Sequence, residues 1–335
     1  MLLGPPTRAG APGAFPVSAE PRVPAGAALA SLSNASANAA APPPREGITW
    51  LIACHDCAPY ITECIESLVA QTDPGWRALI LDDASTDDSL ERIRALPDPR
   101  IALITSDRNR GYIATLERLI ASAETDIVGM LDADDALAPR ATAALLNAYG
   151  RDPAAGFIYS RFAVCDVSLR ESGVTSGGPL PPGRTAIIDG PVGAVRSFRR
   201  SVYDRTAGLD ATMLYAEDRD LVYKLEELVV PVFIDEVLYR YRVVPGSQSN
   251  DPHKHRIGIR NCRRARQAAL RRRGVLGLGR IAWEAWIAAD LVASDARTPR
   301  FMRFLTSGAA AGLARLLRSG RFTTSPRSGR RPEQS

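Results

Sequence analysis

Apolar runs and amphipathic stretches alternate through the middle of the chain. Residues 48–54 form an apolar run, the pattern of a buried strand. After it, Ile61, Cys64, Ile65 and Leu68 fall at the spacing of one helix face, and Pro59 suits a first helical position. Residues 78–81 predict a second strand. Leu90 and Ile93 give the next helix its inner face, with Ser85 or Thr86 as its cap and Asp87 and Asp88 in its first turn. A third strand is predicted at 101–104, a turn at Asn109-Arg110-Gly111, a helix at 112–123 and a fourth strand at 127–131. A helix at 141–149 is opened by Pro139. This β-α-β-α-β-α-β order predicts an α/β fold with a mostly parallel sheet flanked by helices.

The second half is less regular. A strand is predicted at 156–159 and a long irregular loop over 171–193, which is rich in Gly and Pro. Ala216-Glu217-Asp218-Arg219-Asp220 enters a helix through Leu221, Leu225 and Leu228, and a strand follows at 229–234. Beyond His253 the pattern is helical and Arg-rich, with helices predicted at 255–273, 276–293 and 299–318. Residues 1–46 are rich in Ala, Pro, Gly and Ser and are expected to be a disordered leader. The expected organisation is therefore leader 1–46, main domain 47–250, basic helical extension 251–319 and disordered tail 320–335.

Charge sharpens that division. The net charge of +5 hides 19 Arg and Lys against 5 Asp and Glu from Asp251 onwards, and 23 against 32 before it. An acidic body with a basic tail wants an anionic partner, such as a membrane surface or a phosphorylated lipid. Nucleic acid fits less well, because the tail's Arg residues alternate with apolar ones and the body is acidic. The 5 cysteines lack framework spacing, which fits a reducing compartment. Cys54-His55-Asp56-Cys57 has no second pair to complete a zinc site, so small residues at a strand–helix turn are the better reading. No apolar run reaches the roughly 18 residues of a transmembrane helix. A cytoplasmic protein is expected, whose basic amphipathic helices either make peripheral contact at the inner face of the plasma membrane or pack against the body with Arg on the solvent face.

The candidate chemistry sits where predicted strands end. Leu131-Asp132-Ala133-Asp134-Asp135 places three carboxylates directly after an apolar run. Carboxylates this close repel unless a cation neutralises them or water solvates them. Open α/β sheets bind ligands at the strands' carboxyl ends, and hard oxygen ligands there favour Mg²⁺ or Mn²⁺. Asp82 and Asp83 end the second predicted strand in the same way, ahead of any capping role. For each cluster alone, a solvated acidic turn or helix start is the plainer explanation.

Order and spacing outweigh that plainer explanation. The stretch from Ile48 to about Ser249 resembles the inverting family-2 glycosyltransferases of GT-A fold. The resemblance rests on Ile65-Glu66-Ser67-Leu68-Val69-Ala70-Gln71, Leu81-Asp82-Asp83-Ala84-Ser85-Thr86-Asp87, Asn109-x-Gly111 and Leu131-Asp132-Ala133-Asp134-Asp135. It continues in Phe198-Arg199-Arg200-Ser201, Gly208-Leu209-Asp210, Glu217-Asp218-x-Asp220-Leu221 and Tyr241-Arg242 with Ser247-x-Ser249. Two positions depart from the family pattern. Ala53-Cys54-His55-Asp56 replaces Pro-x-Tyr-Asn, with Asp56 in the place of Asn. Val243-Val244 stands where many relatives carry His near metal and diphosphate, which leaves Arg242 as the candidate phosphate contact.

The resemblance implies transfer of a sugar from a nucleotide-diphospho-sugar donor to a hydroxyl of a glycan or lipid-linked acceptor, with inversion, in cell-surface polysaccharide or glycolipid synthesis. It implies nucleotide-sugar contacts from Asp56, Asp82, Asp83, Asn109, Asp132 and Arg242. A metal is implied on Asp134 with Asp132 or Asp135, and a catalytic pair in Asp218, as the base, with Glu217. Two alternatives stand beside it: an impaired relative that only binds nucleotide sugar, and a nucleic-acid-binding protein driven by the basic tail.

Overall fold

The computed structural model describes residues 45–180, 185–189, 193–245 and 251–274. Residues 1–44 of the expected leader, the two later helices and the tail lie outside these residues, and the leader's last two positions belong to the first strand. In chain order the elements are β1 (Arg45–Cys54), α1 (Ile61–Val69), β2 (Trp76–Asp82), α2 (Ser89–Arg94), β3 (Ile101–Thr105), α3 (Tyr112–Ser122), β4 (Thr125–Met130), β5 (Ala136–Leu137) and α4 (Ala141–Arg151). There follow β6 (Phe157–Cys165), β7 (Glu171–Ser176), α5 (Ala186–Asp189), β8 (Ser197–Arg199), α6 (Arg200–Tyr203), α7 (Glu217–Glu226), β9 (Val232–Arg242) and α8 (Pro252–Arg272).

The described strands form one sheet in the order β3-β2-β1-β4-β8-β6-β9-β5, with β7 paired to β6. Its first four strands are parallel, as the alternation of strands and helices predicts. The rest is mixed. β8 runs antiparallel to both β4 and β6, β5 antiparallel to β9, and β6 parallel to β9. Side chains leave β1 alternately to the two faces. Trp50 and Ile52 pack with Ile61, Ile65 and Leu68 of α1 and Leu145 of α4. Leu51, between them, packs with Leu116 and Leu119 of α3 and Leu225 of α7 on the other face. Trp50 lies across β4, and a Cβ at Gly129 would sit 2.6 Å from its ring. Glycine there lets the strand and the indole share the same space.

Several boundaries correct the sequence reading. The helices after Pro59 and Pro139 begin at Ile61 and Ala141, so each proline precedes the first turn rather than opening it. The expected loop at 171–193 contains β7 and α5. The strand expected at 229–234 is the start of β9, which continues to Arg242 and carries the Tyr-Arg segment into the sheet. α8 packs Ala265, Ala269 and Leu270 into the α7 side of the core and exposes Arg256, Arg260, Arg263 and Arg271. Among the described residues no helix is long and apolar enough to cross a membrane.

Parallel register brings the polar strand ends together. Cys54 pairs with Asp82, Asp82 with Thr105, and Leu51 with Met130. The residues after β1, β2, β3 and β4 therefore emerge at one edge of the sheet. Pairing of Ala136 with Arg240 and Leu137 with Tyr239 adds the end of β9 to that edge.

Candidate active site

Two acidic turns knit this edge. Asp83 is 3% exposed, and its carboxylate accepts from the backbone amides of Arg110, at 2.9 and 3.0 Å to its two oxygens, and of Gly111, at 2.8 Å. These bonds pin the Asn109 turn and the entry of α3, where Gly111 has φ +85°. Of the roughly four lone-pair positions on a carboxylate, three are then used. Asp82 accepts from the amide of Ser85 through Oδ2, while its buried Oδ1 has no hydrogen-bond partner among the described residues.

Asp56, with φ +51°, accepts from the amide of Thr86 at 2.7 Å and from its hydroxyl at 3.2 Å, and its own amide donates to Ser85 Oγ. Ser85 and Thr86 thus stitch the β1–α1 loop to the β2–α2 loop. They do not cap α2, which starts at Ser89 without a side-chain cap. A partner about 30 residues away has won over the local one. Asn109 holds its own turn through the amide of Gly111, and its Nδ2 lies 2.8 Å from Nε2 of His55. Cys54, Cys57 and Cys64 are free thiols, and Cys57 Sγ donates to the carbonyl of His55 at 3.3 Å.

The acidic loop divides its carboxylates between different tasks. Asp132 is gripped from above and below: the Tyr112 hydroxyl donates to Oδ1 at 3.2 Å, the Tyr239 hydroxyl to Oδ2 at 3.5 Å, and Arg196 Nη2 lies 3.8 Å away. Its amide donates to the Tyr239 hydroxyl at 3.1 Å. Burial, with the nearby Asp132 charge, raises Asp134 from 3.8 to about 6. Asp135 is 1% exposed, and burial, with Asp132 and Asp134 beside it, raises its carboxyl well above the usual carboxylate range. Its Oδ1 accepts from the amide of Arg242 at 2.7 Å, and its Oδ2 is buried without a hydrogen-bond partner among the described residues.

Arg242 does not present itself to a phosphate. Its side chain is 1% exposed, and its nitrogens donate at 2.6 Å to the carbonyls of Asp134 and Val167 and to the carboxylate of Glu63. The ring of Tyr60 lies beneath the guanidinium. The phosphate contact expected from the sequence is corrected to a buried brace behind the acidic loop, because every nitrogen is already turned into the protein.

The Glu-Asp motif forms the first turn of α7, where the helix dipole favours carboxylates. Glu217 is buried, whereas the Asp218 side chain is 41% exposed. Asp218 accepts from the amide of Arg219 at 2.7 Å and from Arg196 Nη1 at 2.5 Å. Asp220 turns inward to Lys224 at 2.6 Å, a pair that anchors α7 rather than facing a ligand. Arg196 therefore stands between Asp132 and Asp218, bringing together two motifs more than eighty residues apart. Burial opposes its charge, but Asp218 and Asp132 outweigh burial and hold the guanidinium protonated. Sequence reasoning passed over Arg196, Tyr112 and Tyr239. Nothing around Arg196 marks it out, while the alternation along β9 could have flagged Tyr239.

Among the described residues, no three His, Cys, Asp or Glu side chains converge as a metal cage. The donor set still fits Mg²⁺ or Mn²⁺, since Mg²⁺ is commonly held by one or two carboxylates plus the phosphates of its ligand. Asp134, with its raised proton affinity, and Asp135, with an unpartnered oxygen, are the groups whose repulsion a cation would relieve.

Residues 49–207 match the family described as Glycosyl transferase family 2. Chondroitin synthase of Escherichia coli is 28% identical over 208 residues, covering 61% of this chain and 30% of that protein. The succinoglycan biosynthesis protein ExoO of Rhizobium meliloti (strain 1021) is 35% identical over 92 residues, 28% of this chain and 26% of that protein. The chain thus spans less than a third of the length of these relatives. S. aureus TarS 1-349, in a crystal structure with UDP-GlcNAc, superposes with a TM-score of 0.52 at 15% identity, covering 82% of this chain and 92% of that one, which establishes the shared fold. With the motifs, the sheet order and these likenesses in agreement, residues 49–207 form a glycosyl transferase family 2 domain, and the described sheet has the GT-A fold.

Proposed function

We propose that the protein transfers a sugar from a nucleotide-diphospho-sugar donor to an acceptor hydroxyl with inversion, in the assembly of a cell-surface polysaccharide or glycolipid. The observation that carries this reading is the meeting of the acidic loop and the Glu-Asp motif across Arg196. Two of the relatives, a chondroitin synthase and a succinoglycan biosynthesis protein, favour the same class.

Inversion needs in-line attack, with the proton leaving the acceptor opposite the departing diphosphate. Asp218, exposed at the start of α7 and fixed by two donors, is the carboxylate that takes this proton. Glu217, buried beside it, sets the first turn of α7. Asp82 offers a buried, unpartnered oxygen for a donor N–H of the base, while Asp83, Asp56 and Asn109 shape the loops around it. Asp134, with Asp132 or Asp135, would hold the cation. A divalent cation bound there supplies charge neutralisation for the leaving diphosphate.

Thermal melting of the purified protein against a panel of nucleotide sugars tests this reading. The cognate donor with Mg²⁺ or Mn²⁺ present, at a hundredfold excess over its dissociation constant, adds about 2.7 kcal/mol. EDTA removes most of that gain. Because a cation must displace the proton that Asp134 keeps up to about pH 6, the metal-dependent part fades as pH falls through that value. Equal stabilisation with EDTA, or none from any nucleotide sugar, contradicts the assignment.

A further inference from the structure

Arg196 is placed by backbone as well as by side chain. Its carbonyl accepts from the amide of Met130 at 3.0 Å, at the point where β4 gives way to the acidic loop. Val195 before it is 1% exposed with φ +55°, an uncommon conformation for a β-branched residue that packing must hold. From this anchor the guanidinium, 17% exposed, reaches Asp218 Oδ2 at 2.5 Å with one arm and Asp132 Oδ2 at 3.8 Å with the other. The remaining side-chain donors to Asp132 are tyrosine hydroxyls, and among the described residues Asp218 also accepts from the neighbouring amide of Arg219. Arg196 is thus the one cation among the described residues within ion-pair reach of both carboxylates.

We propose that Arg196 is the positioning residue that fixes the Asp218 carboxylate relative to the acidic loop, so that the proton acceptor and the leaving diphosphate keep one separation. The inference rests on the transferase reading above. It separates two jobs that a cation at this place could do. A guanidinium that served the diphosphate directly would govern donor binding. One that orients Asp218 governs the chemical step and leaves donor binding nearly alone. The geometry favours the second, since the short contact is to Asp218 and the contact to Asp132 is the longer. A planar fork suits a bridge between two carboxylates, and a lysine, with one point of charge, can serve only one of them at a time.

The experiment uses the full chain with the donor found in the melting panel, and compares the unmodified protein with Arg196→Gln, Arg196→Lys and Asp218→Asn. Turnover is followed as release of nucleoside diphosphate. Loss of orientation at a reacting group commonly costs about a hundredfold. Arg196→Gln is expected to lower kcat by about that factor with the donor KM within about twofold, and Arg196→Lys to retain more activity than Arg196→Gln. Guanidinium ion added at low millimolar concentration restores part of the Arg196→Gln rate, which a defect of folding would not allow. A raised donor KM with kcat unchanged makes Arg196 a donor ligand and overturns the proposal, as does full activity in Arg196→Gln. Should Arg196→Gln fail to fold, the kcat and KM of Arg196→Lys decide between the same outcomes. An inactive unmodified protein strikes the transferase reading itself, whereas a fully active Asp218→Asn strikes the base assignment and overturns the proposal with it.

Discussion

Replacing Asp218 by Asn is expected to lower sugar transfer by about 10²- to 10⁴-fold, the usual contribution of a positioned general base, while donor binding stays intact. The side chain keeps its size and its place at the start of α7, and its one amide oxygen can still accept from either the Arg219 backbone or Arg196, which now reach different carboxylate oxygens. The capacity to take a proton is lost, together with the charge that pairs with Arg196. Glu217→Gln is expected to cost less, because Glu217 is buried in the first turn of α7 while Asp218 is the exposed carboxylate there. Initial rates of nucleoside diphosphate release at saturating donor, beside donor titrations followed by melting, separate the two quantities. An Asp218→Asn protein that turns over as fast as the unmodified one contradicts the base assignment. One that no longer binds donor would place Asp218 in the donor site instead.

The second large effect concerns stability. Arg242→Met is expected to destabilise the protein by about 3 kcal/mol, the lower end of the range for breaking a buried ion pair. The lower end applies because Glu63, half exposed, can return to water. The carbonyls of Asp134 and Val167 cannot follow it and lose their donor. Arg242 also counters the carboxylate repulsion in the acidic loop, so the proton affinity of Asp134 rises further without it. Arg242→Lys does not restore stability, since three acceptors in three directions need the guanidinium fork. Denaturant midpoints measure the change, and a shift worth less than about 1 kcal/mol would return Arg242 to the role of a free phosphate contact.

The parallel half of the sheet was legible because each of its strands is an apolar run longer than a single turn and each is followed by a helix with a clean apolar face. Asp82, Asp83, Asp132 and Asp134 stood out because they interrupt those runs at the strands' carboxyl ends. The other half hid for physical reasons. β5 and β8 span two and three residues, too short for any period to register. β7 is polar and exposed, held by its ladder to β6 rather than by burial. Asp235 and Glu236 break the apolar pattern of β9 without breaking its pairing to β6 on either side. Within the site, residue type was legible but direction was not. Ser85 and Thr86 read as helix caps until Asp56 is seen to take them, and Arg242 reads as a phosphate ligand until its three buried acceptors are seen. Arg196 depends wholly on contacts from distant parts of the chain, which no local pattern encodes.

The central claim is an inverting transfer from a nucleotide-diphospho-sugar, and the anomeric configuration of the released sugar tests it most directly. With water as acceptor and an α-linked donor, proton NMR during the first turnovers should show the β-anomer appearing ahead of mutarotation, together with nucleoside diphosphate. The α-anomer appearing first, or a donor that binds yet is never cleaved, would contradict the account.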